Sequence, residues 1–366
     1  MKVVVAAGGT AGHVFPAIAL GRRLVDDGAD VVFAGTPAGQ ESRLVPAAGF
    51  RLEPIAAAPL VRKVSARNLR APRVVMRSVA RAAALVGDAD VVVGMGGYVS
   101  APVAVAALRA RRPLVLHEQN AVLGLANRLL SRPARVVALS FPEAARMLSR
   151  RVRTVLTGNP VREAIASVPE EREALRTEAL DAFGLERRRT TVVVFGGSQG
   201  ALHVNRSVAD AIALMRGRAD LQILLLTGPA HDATIRAALP RDGDVIVRTL
   251  PFLERMELAY AAADLVLSRA GATTVAELTV CGLPSILVPY PYATGRHQEA
   301  NAKALQRVGA ATIVMDDALS GAMVAHRVTE LVDSPQRLST MRERAVAWSH
   351  PDADRRLAEV VAGAAR

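Results

Sequence analysis

Glycine-rich turns in three places of this 366-residue chain could hold an anion. The strings GGTAG at 8–12 and GGSQG at 196–200 both fit G-G-[ST]-x-G, and each lies between an apolar run and a helical pattern. The first amides of a helix point outward, and the helix dipole favours negative charge there, so each string predicts a phosphate-binding turn. A third turn, GMGG at 94–97, follows another apolar run. The glycines concerned are Gly8, Gly9, Gly12, Gly96, Gly97, Gly196, Gly197 and Gly200.

Polar residues follow apolar runs in three further places. The string HEQN at 117–120 comes directly after a predicted strand, where it suits either a ligand site or a helix cap. Glu277 lies near the start of a helix whose first turn is rich in small residues, a position from which a carboxylate can accept two hydrogen bonds from a ribose diol. Gln298 and Asn301 are three residues apart and share a helix face with amide groups suited to sugar hydroxyls.

The elements that must position these residues alternate between β-branched runs and helical segments. Predicted strands lie near 2–7, 31–34, 91–94, 114–117, 135–139, 153–156, 190–195, 221–227, 244–249, 264–267, 285–288 and 311–314. Apolar strands between helices predict parallel sheets covered on both faces. The two similar glycine turns, 188 residues apart, predict two doubly wound α/β domains with the site in a cleft between them.

Several enzyme classes lack their motifs here. A dehydrogenase needs G-x-G-x-x-G and an acidic residue after the second strand, and a P-loop enzyme needs a lysine after its glycines. Three D-x-D strings, at 88–90, 242–244 and 352–354, lie before strands or at a helix start and are typical of turns and caps. No His/Cys cluster has zinc spacing. We therefore expect no cofactor and no catalytic metal, so helix termini and arginine must supply positive charge for a leaving diphosphate.

The charge is unevenly distributed along the chain. Residues 1–157 carry 22 Lys+Arg against 9 Asp+Glu, whereas residues 158–366 carry 24 against 25. The first half is therefore expected to face an anionic partner. One cysteine, no signal-peptide pattern and no apolar run long enough for a bilayer favour a cytoplasmic protein, either soluble or bound to a membrane surface.

A predicted helix over 67–86 concentrates this charge. At 100° per residue, five arginines fall on one side and apolar residues, including Met76, Val79, Ala80, Ala83 and Val86, on the other, as in membrane-surface helices. The arginines are Arg67, Arg70, Arg73, Arg77 and Arg81. A helix packed on the sheet with a solvated basic face is the alternative. With 3% aromatic residues and no nucleic-acid motif, we expect no nucleic-acid partner.

The strings GGTAGHVFPA, VGMGGYVSAP, HEQNAVLGLANR, TGNPVR, GGSQGA and GATTVAELTVCGLPSILVPYPY…HQEANA together resemble one family over nearly the whole chain. It is the family 28 glycosyltransferases of GT-B architecture that complete the lipid-linked peptidoglycan precursor. The resemblance implies an inverting, metal-independent transfer of N-acetylglucosamine (GlcNAc) from UDP-GlcNAc to the 4-hydroxyl of undecaprenyl-diphospho-muramoylpentapeptide. It also implies a peripheral protein on the cytoplasmic face of the cell membrane.

The resemblance assigns donor-binding roles by matching motif. Glu277 would hold the ribose; Phe252, Leu253 and Met256 would pack on the uracil; Arg162, Ser198 and Thr274 would hold the diphosphate; and His297, Gln298 and Asn301 would bind the GlcNAc hydroxyls. The implied domains are 1–161 for the acceptor and the membrane, with a last helix near 350–366 packed back on it, and 162–349 for UDP-GlcNAc.

On the acceptor side the resemblance places Thr10, Gly12, His13, Tyr98 and Asn120, with the first glycine turn holding the acceptor's diphosphate and the second turn the donor's. A nucleophilic hydroxyl needs a proton acceptor within hydrogen-bond reach. His13 is the first candidate for that base, and Glu118 is the alternative. Two other functions stay open: a UDP-GlcNAc epimerase of the same architecture, and a UDP-sugar-binding protein without activity.

Overall fold

The computed structural model describes residues 1–55, 66–197 and 200–366, without the side chains of residues 66–75. The chain divides into two units, Met1–Arg162 with His350–Arg366, and Glu163–Ser349. Each unit contains one all-parallel sheet with helices on both faces. This confirms the predicted fold class of two doubly wound α/β domains.

The first unit begins with a seven-stranded sheet and its helices. Its strands are β1 (Lys2–Ala6), β2 (Asp30–Gly35), β3 (Arg51–Pro54), β4 (Val91–Gly94), β5 (Leu114–Glu118), β6 (Val136–Leu139) and β7 (Thr154–Leu156). Its helices up to β7 are α1 (Ala11–Asp26), α2 (Glu41–Ala47), α3 (Ala66–Val86), α4 (Ser100–Arg109) and α5 (Leu125–Leu130), with a 3₁₀ turn at Pro142–Met147.

The strand order in this sheet is β3-β2-β1-β4-β5-β6-β7. Successive side chains of a strand point to opposite faces, so Val3 and Val5 join the core on one face while Val4 and Ala6 join the core on the other. The order reverses between β1 and β4, and ligands of open α/β sheets bind outside the carboxyl ends of the strands at such a point. The turns after β1 and β4 are the two predicted glycine turns of this half.

The second unit repeats the plan with six strands. Its helices are α6 (Glu163–Ala166), α7 (Val168–Phe183), α8 (Leu202–Leu214), α9 (Asp232–Ala238), α10 (Met256–Ala262), α11 (Ala272–Val280), α12 (His297–Val308), α13 (Gly321–Val332) and α14 (Pro335–Trp348). Its strands are β8 (Thr190–Phe195), β9 (Leu221–Leu226), β10 (Ile246–Leu250), β11 (Leu265–Ser268), β12 (Ser285–Leu287) and β13 (Ala311–Ile313). The order β10-β9-β8-β11-β12-β13 places the reversal between β8 and β11.

The last helix, α15 (Ala353–Ala365), belongs to the first unit. Its residues Leu357 and Val361 are completely buried in the same core as Val14 and Leu20 of α1. The chain therefore returns to its first sheet after the second unit is complete.

Every predicted strand coincides with an observed one, and β3 is the observed strand that the sequence did not predict. Its residues Arg51, Leu52, Glu53 and Pro54 include none of the β-branched and aromatic residues that favour strands, and β3 lies at the edge of the sheet. An edge strand needs fewer apolar residues because one side of it faces solvent. The apolar pattern was therefore too weak to indicate it.

Candidate functional site

The two G-G-[ST]-x-G turns have the same backbone at their second glycine. Gly9 has a φ of 97° and Gly197 a φ of 96°, values in the left-handed region that favours glycine. Gly96 and Gly97, after β4, have φ values of 95° and 77°. These turns reverse the chain between strand and helix, so the sequence similarity of the two halves corresponds to a shared local geometry.

In the first unit, the turns after β1 and β4 pack directly on each other. A Cβ on Gly97 would collide with the carbonyl oxygen of Gly8, and one on Gly9 would lie 3.2 Å from Cε1 of Tyr98. A Cβ on Gly96 would lie 2.9 Å from Nδ1 of His13. Glycine is thus required by close approach as well as by backbone conformation. The packing brings His13 and Tyr98 together at the switch point of the sheet, and Thr10 lies exposed beside them at the start of α1.

A buried carboxylate lies beneath the first glycine turn. Glu41 is completely buried; its Oε2 accepts a hydrogen bond from Gly9 N at 3.1 Å, and its Oε1 accepts bonds from Thr36 N at 2.8 Å and Thr36 Oγ1 at 2.6 Å. The Gly9 amide therefore already has a hydrogen-bond acceptor within the protein. The binding of a diphosphate by this turn stays a prediction, and an anion here has the N-terminus of α1 beside it.

His13 is held by a residue of the HEQN string. Its Nδ1 lies 2.7 Å from Oε1 of Gln119, and the His13 side chain is half-buried. Burial lowers the pKa of His13 below its usual value, against the opposing effects of the hydrogen bonds to Gln119 and to the backbone of Met95 and of the charges of Glu118 and Glu41. The imidazole is therefore neutral at neutral pH, as a general base must be before it takes a proton.

Glu118, the alternative base, has a different role in the structure. Its Oε1 accepts hydrogen bonds from Asn120 N at 3.0 Å and Asn120 Nδ2 at 3.4 Å, and its Oε2 from Gly124 N at 2.8 Å and Asn127 Nδ2 at 3.0 Å. A buried carboxylate with four donors stabilises the loop from β5 to α5. Glu118 thus holds the loop that follows β5, and its role as the alternative base stays a prediction. Asn120 lies beside it, half-buried.

His117 is also structural. Its Nε2 donates to the carbonyl oxygen of Gly158 at 3.0 Å, and burial lowers the pKa of His117 to about 4. This bond ties the end of β5 to the TGNPVR string. Arg162, at the end of that string, belongs to the first unit rather than to the second, and its guanidinium carbon lies 4.5 Å above the ring centroid of Phe15.

In the second unit, the turn after β8 and the start of α11 flank the switch point. A Cβ on Gly196 would collide with Ala201, and one on Gly200 would lie 2.5 Å from the carbonyl oxygen of Thr227. Gly271 caps α11 with an extended backbone, and Thr274 is half-buried on the first turn of that helix. The predicted diphosphate residue Ser198 lies outside the described residues.

Glu277, on α11, is 5% exposed and hydrogen-bonded to a tyrosine that the sequence analysis missed. The hydroxyl of Tyr260 donates to Oε2 of Glu277 at 2.7 Å. Tyr260 lies on α10, and its ring contacts that of Phe195 edge to face, with centroids 6.0 Å apart. The carboxylate is therefore fixed from behind by a buried phenol. The phenol, 17 positions earlier, carries no motif that could have identified it.

The residues predicted to pack on uracil lie between β10 and the first turn of α10. The Phe252 side chain is 55% exposed, and Leu253 and Met256 are half-buried. Monomeric proteins often expose single large apolar side chains, so the exposure of Phe252 does not by itself indicate a uracil site. Its neighbours in the sequence give the additional support. Here it precedes, by eight positions, the tyrosine that holds Glu277.

Gln298 and Asn301 share a face of α12, as predicted, and both form hydrogen bonds with the backbone of Ala270. Oε1 of Gln298 accepts from Ala270 N at 3.2 Å and from Tyr290 N at 2.9 Å, and Nδ2 of Asn301 donates to Ala270 O at 3.1 Å. Asn301 is completely buried and holds the loop before α11, and its contact with sugar hydroxyls stays a prediction. Gln298 and His297 are half-buried at the surface end of this face.

Over the described residues, no group of three or more His, Cys, Asp or Glu side chains is arranged to hold a metal ion. The first D-x-D string illustrates what such residues do instead. Asp88 forms an ion pair with Lys2 at 2.5 Å, and Asp90 accepts a hydrogen bond from the Lys2 amide at 2.7 Å. Both bonds fasten the start of β1 to the start of β4, at the edge of the sheet opposite the glycine turns.

Helix α3, Ala66–Val86, confirms the helix predicted over 67–86. The side chains of Arg67, Arg70 and Arg73 lie outside the described residues, and those of Arg77 and Arg81 are exposed. Three residues assigned to the apolar face, Met76, Ala80 and Ala83, are exposed as well, because only the narrower face with Val79, Ala82 and Val86 packs on the unit. Within the described part of the chain, no helix has the length and apolar character needed to cross a membrane.

The chain matches two family descriptions and many relatives. Residues 3–139 match the glycosyltransferase family 28 N-terminal domain, and residues 191–357 match the glycosyltransferase family 28 C-terminal domain. A protein of Acidothermus cellulolyticus is 43% identical over 100% of this chain and 98% of its own length. One of Halothermothrix orenii is 38% identical over 100% of both. Both are named UDP-N-acetylglucosamine–N-acetylmuramyl-(pentapeptide) pyrophosphoryl-undecaprenol N-acetylglucosamine transferase.

A solved structure agrees with these relatives. The crystal structure of MurG from Acinetobacter baumannii is 30% identical to this chain, covers 99% of both chains and superposes with a TM-score of 0.80. At this identity and coverage, the likeness extends to both units and both switch points. The chain therefore belongs to glycosyltransferase family 28 and, within it, to the MurG family of N-acetylglucosamine transferases with the GT-B fold.

Proposed function

We propose that this protein transfers GlcNAc from UDP-GlcNAc to the 4-hydroxyl of undecaprenyl-diphospho-muramoylpentapeptide, with inversion at the anomeric carbon. The observation that carries the proposal is the pair of switch points: one offers a neutral, oriented imidazole at His13, and the other a buried, oriented carboxylate at Glu277. The first suits the activation of a hydroxyl, and the second suits the recognition of a ribose. The names of the full-length relatives support the same substrates.

The donor roles belong to the second unit. Glu277 accepts hydrogen bonds from the ribose diol, and Phe252, Leu253 and Met256 pack on the uracil. The amides at the start of α11 with Thr274, and those of the second glycine turn with Ser198, bind the diphosphate, since helix N-termini favour anions. His297, Gln298 and Asn301 bind the GlcNAc hydroxyls, and Asn301 also holds the loop before α11. Arg162, as the resemblance implies, supplies positive charge for the diphosphate.

The chemical step belongs to the first unit. Nε2 of His13 removes the proton of the 4-hydroxyl while that oxygen attacks the anomeric carbon from the face opposite UDP. The bond from that carbon to the diphosphate breaks, and UDP leaves with both electrons. Thr10, Gly12, Tyr98 and Asn120 line the acceptor side. No metal ion is needed in this proposal, because helix termini and Arg162 stabilise the charge that develops on the diphosphate.

Product analysis tests the proposed function directly. The protein is incubated with UDP-GlcNAc, with and without a lipid-linked muramoylpentapeptide, and the products are separated by chromatography and mass spectrometry. The transferase forms UDP and a disaccharide-bearing lipid only when the acceptor is present. Conversion of UDP-GlcNAc without acceptor would identify an epimerase, and binding without any product would identify a UDP-sugar-binding protein.

Tyr260→Phe is expected to weaken UDP binding about 3- to 30-fold, equivalent to about 0.7–2 kcal/mol. The variant keeps the ring and its contact with Phe195 but removes the hydroxyl that orients Glu277. Calorimetry with UDP and with its 2′-deoxy analogue measures the effect. Because Glu277 is proposed to bind the ribose diol, the preference for UDP over the 2′-deoxy analogue should shrink. Equal loss of affinity for both nucleotides would point to a general packing defect instead.

We propose further that the first unit binds an anionic membrane surface through α3. Arg77 and Arg81 are exposed there beside the 69% exposed side chain of Met76. On α5 of the same unit, Leu125 and Leu129 are 68% and 70% exposed, one helical turn apart. Basic side chains next to exposed apolar ones are the composition of a membrane-surface site.

The double variant Arg77→Glu/Arg81→Glu is expected to weaken co-sedimentation with anionic liposomes at least about 30-fold, since each basic residue near an anionic leaflet contributes about 1 kcal/mol and its reversal adds repulsion. Raising the salt concentration should weaken wild-type binding. Turnover of a short-chain, water-soluble acceptor should stay within a few-fold of wild type, whereas turnover of the full-length lipid in vesicles should fall much further.

The matched control is Arg188→Glu/Arg241→Glu. Both arginines are exposed in the second unit and precede β8 and β10, at the sheet edge away from the glycine turn. This control changes net charge by the same amount and should leave liposome binding close to wild type. If the two double variants lose liposome binding equally, the membrane contact depends on overall charge rather than on α3.

A further inference from the structure

Gln119 is a buried polar residue in direct contact with the proposed base. It follows β5 directly, is 3% exposed, and its Oε1 lies 2.7 Å from Nδ1 of His13, 106 positions away. The amide nitrogen of Gln119 is buried without a hydrogen-bond partner among the described residues. A buried, unpartnered amide destabilises a fold. The amide nitrogen of Gln119 therefore lowers the stability of the fold. Its oxygen, in contrast, contacts the imidazole that acts as the base in the proposed reaction.

A neutral imidazole carries one proton, on either Nδ1 or Nε2, and the partner of one nitrogen decides which. An amide oxygen accepts a hydrogen bond and cannot donate one. A short contact from Gln119 Oε1 to Nδ1 therefore places the proton on Nδ1. It leaves the lone pair on Nε2.

We propose that Gln119 is a positioning residue that fixes His13 as the Nδ1–H tautomer, so that Nε2 is the nitrogen that accepts the substrate proton. The proposal rests on the proposed function, because it concerns the orientation of the base in that reaction. It goes beyond that function by assigning a role to a residue of the HEQN string that touches His13 rather than the substrate.

The choice of a neutral amide, rather than a carboxylate, follows from the charges around His13. Glu118 and Glu41 both favour the protonated imidazole, and each is fixed by its own hydrogen bonds. A third negative charge in direct contact with Nδ1 would keep His13 protonated at neutral pH, and a protonated imidazole cannot act as a base. Gln119 orients the ring without adding that charge.

Two substitutions separate orientation from charge. Gln119→Leu removes the acceptor, so His13 is held neither in one tautomer nor in one orientation. The shared proton alone costs only a few-fold, but misplacement of a catalytic group by about 1 Å can cost about 100-fold, so kcat should fall about 10- to 100-fold across the pH range. Gln119→Glu keeps the acceptor but adds charge, so the acid limb of the kcat/KM profile should move to higher pH while the activity at high pH approaches wild type. UDP affinity should stay unchanged in both variants.

Thermal unfolding distinguishes this role from a purely structural one. If Gln119 only stabilised the fold, its substitution would lower Tm. Gln119→Leu removes the unpartnered amide, so Tm should stay level or rise while kcat falls. The matched control is Gln222→Leu in the second unit: Gln222 is completely buried, and its amide bonds Glu186 O at 2.8 Å and Thr191 Oγ1 at 2.8 Å. That control should lower Tm and leave kcat unchanged for the fraction that remains folded.

The tautomer itself is visible by ¹⁵N NMR of the imidazole, without any substrate. In the wild-type protein above the pKa of His13, Nδ1 should carry the proton, and in Gln119→Leu the two nitrogens should share it. A wild-type signal protonated on Nε2, or a Gln119→Leu kcat within threefold of wild type at every pH, overturns the proposal. Absence of product from the wild-type protein overturns the proposed function instead, and the NMR result still decides the tautomer.

Discussion

His13→Ala is expected to lower kcat by about 10²–10⁴-fold, the usual contribution of a general base. The half-buried imidazole is the proposed proton acceptor for the 4-hydroxyl, and alanine leaves no group at that position. UDP binding should persist, since the proposed ribose and uracil contacts come from the second unit. Steady-state assays with saturating acceptor measure the first effect, and calorimetry measures the second.

The pH profile gives this prediction a second test. Burial lowers the pKa of His13 below its ordinary value of 6.5, so the neutral, base-competent form persists as the pH falls through that value. The acid limb of kcat/KM should therefore lie below pH 6.5 in the wild-type protein and should disappear in His13→Ala. A loss of less than tenfold in kcat would reduce His13 to a residue that positions the acceptor. Glu118 would not replace it readily, because its oxygens already accept four hydrogen bonds.

The glycine turns show why parts of this site can be predicted from sequence. A turn between a strand and a helix is a local structure, so consecutive residues determine it and its backbone needs glycine at fixed positions. The φ values of Gly9 and Gly197 agree within one degree because both turns connect a buried strand to a helix through the same pattern of glycines. Parallel sheets were predictable for a similar reason, since strands buried on both faces are apolar throughout.

The partners of the site residues could not be predicted in this way. Gln119 meets His13 because β5 lies beyond β4 in the same sheet as β1, and Glu41 reaches the first turn because β2 pairs with β1. Those meetings depend on strand order, which an apolar pattern does not specify. Tyr260 likewise reaches Glu277 from a neighbouring helix.

The sequence also does not distinguish a polar group that faces a ligand from one that faces the backbone. Glu118 and Asn301 have the types and spacing of ligand-binding residues, yet both are buried and bonded to neighbouring loops. A loop that presents a ligand site has backbone groups of its own to satisfy, and buried side chains commonly satisfy them. Such residues hold the loop that carries the site. Their sequence motifs are therefore the same as those of residues in contact with the ligand.

Glu277→Ala is expected to weaken UDP and UDP-GlcNAc binding about 30- to 1000-fold, since two hydrogen bonds from the ribose to a buried carboxylate are worth about 2–4 kcal/mol. Removing the carboxylate also leaves the buried hydroxyl of Tyr260 without the acceptor that it has now. Thermal stability is therefore expected to fall modestly. Combining the substitution with Tyr260→Phe should restore stability without restoring affinity.

Nucleotide specificity separates the ribose role from a general loss of binding. Wild-type protein should prefer UDP to its 2′-deoxy analogue, and Glu277→Ala should bind the two nearly equally, because the group that reads the 2′-hydroxyl is gone. Glu257→Ala is the matched control: Glu257 lies on α10 in the same unit, and its carboxylate pairs with Arg255 at 2.9 Å. That control should keep both the affinity and the preference. If calorimetry gives Glu277→Ala the same UDP affinity as wild type, the ribose is bound elsewhere, and the buried Glu277–Tyr260 pair serves only to join α11 to α10.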